Sequence, residues 1–253
     1  MFEYPVLSKA PIIEALIDIR VKVKEDLPVE QFNSIYDSIS GRYPDKKERH
    51  KWEGKLEFKR GETPISTTAE TIDGYIFTSV DKRQILQTRL DGFIFSRLKP
   101  YETWEHLRNE ASGLWKKYKE VTSPEITRVA LRYINKMEIP LPIMDFGDYL
   151  TAAPIVPEGL PQGVSSFLTR IVIHEPKMDA SAIITQALEQ IVNPNILPLI
   201  LDIDVFKQKS EGISEEDVWE TLENYVISRI RYFLRVLLKK QRSYFYERSS
   251  PVH

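Results

Sequence analysis

The sequence predicts an α+β protein made of two related halves, each running strand, helix, three strands, helix. Antiparallel-rich sheets would carry the helices on one face. Three observations lead there. Several short stretches alternate apolar and polar residues with the period of a half-buried strand. Two long stretches instead repeat their apolar residues at three- and four-residue steps and carry tryptophan on the stripe. The order of these elements over residues 1–122 then recurs over residues 123–253, a match of element order in which residue identity between the halves is weak.

The first half begins with Ile12 to Val23, where Ala15, Ile17, Ile19, Val21 and Val23 share one face and Leu16, Asp18, Arg20 and Lys22 the other. Val29 to Tyr43 sets Val29, Phe32, Ile35, Tyr36, Ile39 and Tyr43 at helical spacing, and Pro44-Asp45 stops it. The charged run Asp45 to Lys51 is expected to cross the surface before a strand at Trp52 to Lys59, with Trp52, Leu56 and Phe58 inward. Gly61, Pro64 and the Ser/Thr cluster after them suggest a loop, followed by a short strand at Tyr75 to Val80. Ile85 to Leu98 reads as one long strand, bent at Asp91-Gly92, where Gly92 would supply a bulge or a positive φ. Lys99-Pro100 ends it. Trp104, Leu107, Ala111, Leu114, Trp115 and Tyr118 then form one broad apolar helix stripe.

The second half opens with Ile126 to Ile139 as a strand. A proline-punctuated crossing from Pro140 to Pro161 follows, with one short helix near Phe146 to Leu150. Strands are expected at Phe167 to Ile173, Ala182 to Leu188 and Leu199 to Phe206. A last helix runs from Glu215 to about Tyr246 with Trp219, Leu222, Val226, Ile230, Phe233 and Leu237 on its stripe. Ser214 and Asp217 stand three apart, as in a capping box. Ile12–Val23 and Ile126–Ile139 would be equivalent first strands, adjacent across a pseudo-twofold.

Composition narrows the chemistry. At 253 residues, with 42% hydrophobic and 28% charged residues, the chain is long enough to bury a large core without staples. Thirty-five basic against 37 acidic residues leave a formal charge of −2, unlike the strongly basic footprint of a general nucleic-acid binder. With no cysteine, disulfides, thiol catalysis and cysteine-ligated metals are excluded. No signal-peptide pattern or membrane-length apolar run stands out, so a cytoplasmic protein is expected. The four histidines are scattered, with no HExxH pair. There is no GxSxG elbow, no phosphate-binding GxxxxGK[ST] loop and no GxGxxG. No cofactor or metal is expected.

Four phrases carry a family resemblance: Ala10-Pro11-Ile12-Ile13-Glu14-Ala15; Gly92-Phe93-Ile94-Phe95-Ser96-Arg97-Leu98 with Pro100-Tyr101 and Trp104; Arg128-Val129-Ala130-Leu131-Arg132-Tyr133-Ile134-Asn135; and Leu201-Asp202-Ile203-Asp204. In order and spacing, over nearly the whole chain, they resemble a sporadically distributed, functionally uncharacterised prokaryotic family of similar length. That resemblance brings no catalytic residues with it. Its patchy distribution would suit accessory systems such as phage defence or toxin–antitoxin loci.

The candidate ligand-binding residues are Arg128, Arg132, Asn135, Asp202 and Asp204. Arg128 and Arg132 share a strand face and could grip a phosphate or carboxylate; the favoured reading pairs each with an acid such as Asp18, Asp202 or Asp204. Asp202 and Asp204 could act as paired acids or simply point outward from a half-buried strand. Arg231, Arg235, Lys239, Lys240 and Arg242, followed by Tyr244, Phe245 and Tyr246, form a basic, aromatic flank that suits nucleic acid or the macrodipole at a helix C-terminus. The expected function is a non-catalytic interaction or regulatory protein that binds a protein partner; a homo-oligomer is also compatible with the sequence. The alternatives are a nucleic-acid or nucleotide binder using Arg128, Arg132 and the basic flank, and a hydrolase of unrecognised type using Asp202 and Asp204.

Overall fold

A computed structural model describes residues 10–23, 27–57, 65–143 and 145–237. The fold is α+β. Its strands are β1 (Ile12–Lys22), β2 (Asp45–Glu57), β3 (Ile65–Thr78), β4 (Gln84–Arg89), β5 (Gly92–Leu98), β6 (Glu125–Pro140), β7 (Leu168–Glu175), β8 (Ala180–Leu188) and β9 (Ile196–Gln208). The helices are α1 (Asn33–Ile39), entered through a 3₁₀ turn at Val29–Phe32, then α2 (Trp104–Thr122) and α3 (Glu215–Val236). One antiparallel sheet holds all nine strands in the order β2-β3-β4-β5-β1-β6-β9-β8-β7.

Alternation decides the faces. Ile17 and Ile19 of β1 lie opposite Phe95 and Phe93 on one side and Leu131 and Val129 on the other, all fully buried. The helices cover this face. Phe93 meets Trp115 of α2 edge-on at 5.5 Å, and the Arg229 guanidinium of α3 lies 3.7 Å from the Tyr133 ring. Trp104 and Trp115 are buried as their spacing predicts, whereas Trp219 is only partly buried and packs at the core's rim. The side chains that alternate with this core face outward, and among the described residues no helix covers them.

Several expectations are corrected. The charged run Asp45 to Lys51 is the start of β2, and Trp52 points to solvent at 64% exposure. The side chain of Leu56 and all of Phe58 lie outside the described residues. The Ser/Thr cluster after Pro64 belongs to β3. Ile85 to Leu98 is a hairpin, β4 and β5, closed by Leu90-Asp91. The first half therefore carries four strands after its helix against three in the second. Gly92 has no positive φ; a Cβ there would instead come within 2.7 Å of the Ile19 carbonyl oxygen and 2.8 Å of Arg89 Nη2, so close approach is what requires glycine. The described part of α3 ends at Val236. Ser214 precedes that helix without a side-chain cap, and the Asp217 N–H donates to the Ser214 carbonyl at 3.2 Å. At α2, by contrast, the Thr103 hydroxyl accepts from the His106 N–H at 3.2 Å.

Candidate functional site

The uncovered face of the sheet gathers four of the five candidate ligand-binding residues. Arg128 stands where β6 passes between β1 and β9. Its guanidinium donates to Asp18 Oδ2 at 2.9 Å and to Asp204 Oδ2 at 2.8 Å, and it lies 4.6 Å from the centroid of the Phe206 ring. Arg132 grips Asp202 in bidentate fashion at 2.8 and 2.6 Å. Asp18 also accepts from Arg20 Nε at 2.9 Å, and Arg20 reaches Asp91 at 3.3 Å. Arg89 is buried over Gly92 with Nε 3.0 Å from Asp91 and Nη2 3.8 Å from Asp18. Those Arg89 contacts have the distance of ion pairs but not the alignment of hydrogen bonds, since both nitrogens lack a bonded acceptor. Arg20, Arg89, Arg128 and Arg132 thus face Asp18, Asp91, Asp202 and Asp204, a cluster with no formal net charge.

The electrostatics follow from burial and pairing. Burial pushes the Asp204 carboxyl up, against the pull of Arg128 and then Arg132. Burial lowers the Arg89 guanidinium from its ordinary value, opposed chiefly by Asp91. The Asp202 hydrogen bond raises Arg132. Both carboxylates proposed as paired acids are therefore engaged by arginine. Of the oxygens of these two carboxylates, only Asp204 Oδ1 is buried without a hydrogen-bond partner. Among the described residues no group of three or more His, Asp or Glu could hold a metal ion.

Asn135 does not join this cluster. It is buried on the helix side, where its amide donates to the Leu201 carbonyl at 2.9 Å and so spans β6 and β9. Arg231 donates to Glu175 Oε2 at 2.5 Å and Arg235 is exposed; Lys239, Lys240 and Arg242 lie outside the described residues. No helix of the described residues is long and apolar enough to cross a membrane.

Sequence reasoning passed over a second feature. β7 closes one end of the sheet and, among the described residues, pairs only with β8. Leu168, Ile171, Val172 and Ile173 are 71, 43, 57 and 38% exposed, so apolar side chains meet solvent on both of its faces. The other edge, β2, carries Lys46, Lys47, Glu48, Arg49, His50 and Lys51, the charged dressing that discourages strand addition. β7 has little of that protection, with Arg170 and Glu175 its only formally charged side chains. The Ile171-Val172-Ile173 run was the available signal, but apolar residues on both faces usually mean an interior strand, and sheet order is not written in periodicity.

No family model matches the chain, and no curated protein matches it in sequence.

Proposed function

We propose that this is a non-catalytic interaction protein that binds a protein partner through main-chain pairing at β7. The observation that carries the reading is the unprotected apolar edge, set against a charged edge at the far end of the same sheet. An exposed edge offers a ladder of unpaired N–H and C=O groups, which supply affinity, while side chains on alternate faces supply specificity. The charge-balanced Arg–Asp cluster supports the same reading in a different way. Its arginines are already held by aspartates, so it offers nucleic acid no free positive stripe.

The test compares the wild type with Val172→Pro. The Leu188 N–H donates to the Phe167 carbonyl at 3.2 Å, next to the Leu168–Ala187 pair. Antiparallel alternation then directs Thr169, Ile171, Ile173 and Glu175 toward β8, and Leu168, Arg170, Val172 and His174 outward. Proline at 172 removes an outward N–H and leaves the β8 ladder intact. A stoichiometric companion that co-purifies with the wild type should be lost from Val172→Pro at unchanged melting temperature. Equal recovery of that companion with both proteins would sink the reading.

The two halves also read as copies of one ancestral unit. Support comes from connectivity: β1 and β6 lie side by side at the sheet's centre, and each pairs on its other side with the last strand of its own half, β5 and β9. The unequal strand counts fit an extra hairpin strand in the first half.

A further inference from the structure

The partner at β7 that the geometry favours is a second copy of this chain, and we infer that two protomers join β7 to β7 antiparallel about a twofold axis at Ile171. This inference rests on the reading of β7 as a strand-adding edge. Its first support is register. The outward residues Leu168, Arg170, Val172 and His174 are disposed symmetrically about Ile171, so a twofold there sets Leu168 opposite His174 of the second copy and Arg170 opposite Val172. All four outward residues then find an outward partner. Four facing pairs with two bonds each give about eight main-chain hydrogen bonds. A twofold at Val172 would instead leave Leu168 facing Pro176, which has no N–H, and would set Arg170 against His174.

The second support is side-chain complementarity. On the helix-side face Ile171 meets its own copy and Thr169 meets Ile173; on the opposite face Arg170 lies across from Val172 and Leu168 from His174. No like charges are opposed, and exposed apolar groups cover one another. Cross-strand apolar pairs of this kind stabilise antiparallel ladders, whereas like charges directly opposite weaken them.

The third support is closure. Isologous pairing uses the same edge twice and stops at two protomers, with β2 as the outer edge on each side. Pairing β7 with β2 of the next molecule would build an open filament, and the charges of β2 oppose it. The two edges of this sheet are therefore dressed as a closed dimer requires: one mostly apolar, one charged.

The experiment is sedimentation velocity across a concentration series on the full chain. The wild type should be a dimer that dissociates on dilution, and Val172→Pro should weaken self-association by about 100-fold or more, since it removes central bonds of the ladder. Ile171→Lys and Ile171→Glu should each be monomeric, because the axis would oppose like charges, while an equimolar mixture should form a one-to-one heterodimer. Circular dichroism and melting confirm that each variant is folded. A wild type that stays monomeric at the highest concentrations, a dimer indifferent to Val172→Pro, or charge variants that fail to recombine would each overturn the inference. A monomeric wild type whose companion protein is still lost in Val172→Pro would overturn the dimer and leave the edge reading standing. A monomeric wild type whose companion protein is recovered equally with Val172→Pro would sink both.

Discussion

Replacing Arg128 by methionine should destabilise the fold by about 3 kcal/mol at neutral pH, and the deficit should shrink in acid. The Arg128, Asp18 and Asp204 side chains are 16, 11 and 17% exposed, so their charges are little screened by water. Deleting one partner of a buried ion pair costs roughly 3–5 kcal/mol, because the remaining charge stays buried alone. The low end applies here, since among the described residues no helix covers this face, and Arg20 still serves Asp18. For a chain of this size that is a fall of about 6–12 °C in melting temperature. The sign of the pH dependence comes from Asp204, whose carboxyl is raised by burial. A raised folded value means that its contribution is most favourable below the unfolded carboxylate value of about 3.9 and is lost as pH rises through the folded one. Without Arg128 the folded value climbs further. The variant's deficit is then full near pH 7 and closes toward pH 4 as Asp204 takes up a proton. Urea unfolding of both proteins at about pH 4.5 and 7.5 measures this. Adding Asp204→Asn to Arg128→Met should recover about 1–2 kcal/mol at the higher pH. Arg132, with 42% of its side chain exposed, should cost under about 1 kcal/mol when truncated. A deficit below about 1 kcal/mol for Arg128→Met, or one that is equal at both pH values, would refute the reasoning.

Other consequences can be measured on the same preparation. Trp115→Ala should cost about 4 kcal/mol in a chemical-denaturation series, and Trp219→Ala at the rim about half that or less. Thr103→Ala should cost about 1 kcal/mol by removing the cap of α2, whereas Ser214→Ala should be near neutral because its hydroxyl caps nothing. Burial raises the phenols of Tyr43, Tyr101, Tyr118, Tyr133 and Tyr225 above the ordinary value. Their stabilising contribution is present below about pH 10 and is lost as pH rises beyond it. Ultraviolet titration should therefore show a subset of tyrosines that ionise only as the protein unfolds; smooth ionisation of all of them in a folded protein would contradict the burial.

The elements that alternate or repeat against a buried face were legible; of those that meet water, β7 was read as a strand from its apolar run, but its place at the sheet's edge was not. β1, β6, β9 and α2 each carry a clean apolar set because one face lies on the core. The first part of β2, Asp45 to Lys51, escaped because an edge strand dressed in charge has no apolar period to read. The β4–β5 hairpin escaped because Leu90 continues the apolar run through the turn, and because Gly92, the one turn signal, begins the next strand. The pairing of Arg128 and Arg132 with Asp18, Asp202 and Asp204 was within reach as a list of partners. Which aspartate meets which arginine was not: it depends on the registers of β1 with β6 and of β6 with β9. Asn135 was grouped with the arginines although three residues separate it from Arg132, an odd step that puts it on the other face.

That dependence on register also runs in the opposite direction. Asp18 lies on β1, Arg128 on β6 and Asp204 on β9, so the cluster spans the seam at which the two halves of the sheet meet. A slip of two residues along this seam would keep every apolar side chain on the core face, and hydrophobic packing alone penalises it weakly. It would, however, carry Arg128 away from Asp18, leaving Asp18 to Arg20 and Arg128 to Asp204, so that a buried ion pair across the seam is broken. Buried ion pairs add little net stability over apolar side chains of the same size, but a mismatched charge is costly, so their effect falls on the wrong register. The triple replacement Asp18→Leu, Arg128→Met, Asp204→Leu should therefore melt within a few degrees of the wild type yet lose uniqueness at the seam. Amide resonances of β1 and β6 would then broaden or double while those of β3 and β8 stay sharp. A single sharp set throughout would mean that packing of α2 and α3 already fixes the register, and that the arginines on this face serve something other than alignment.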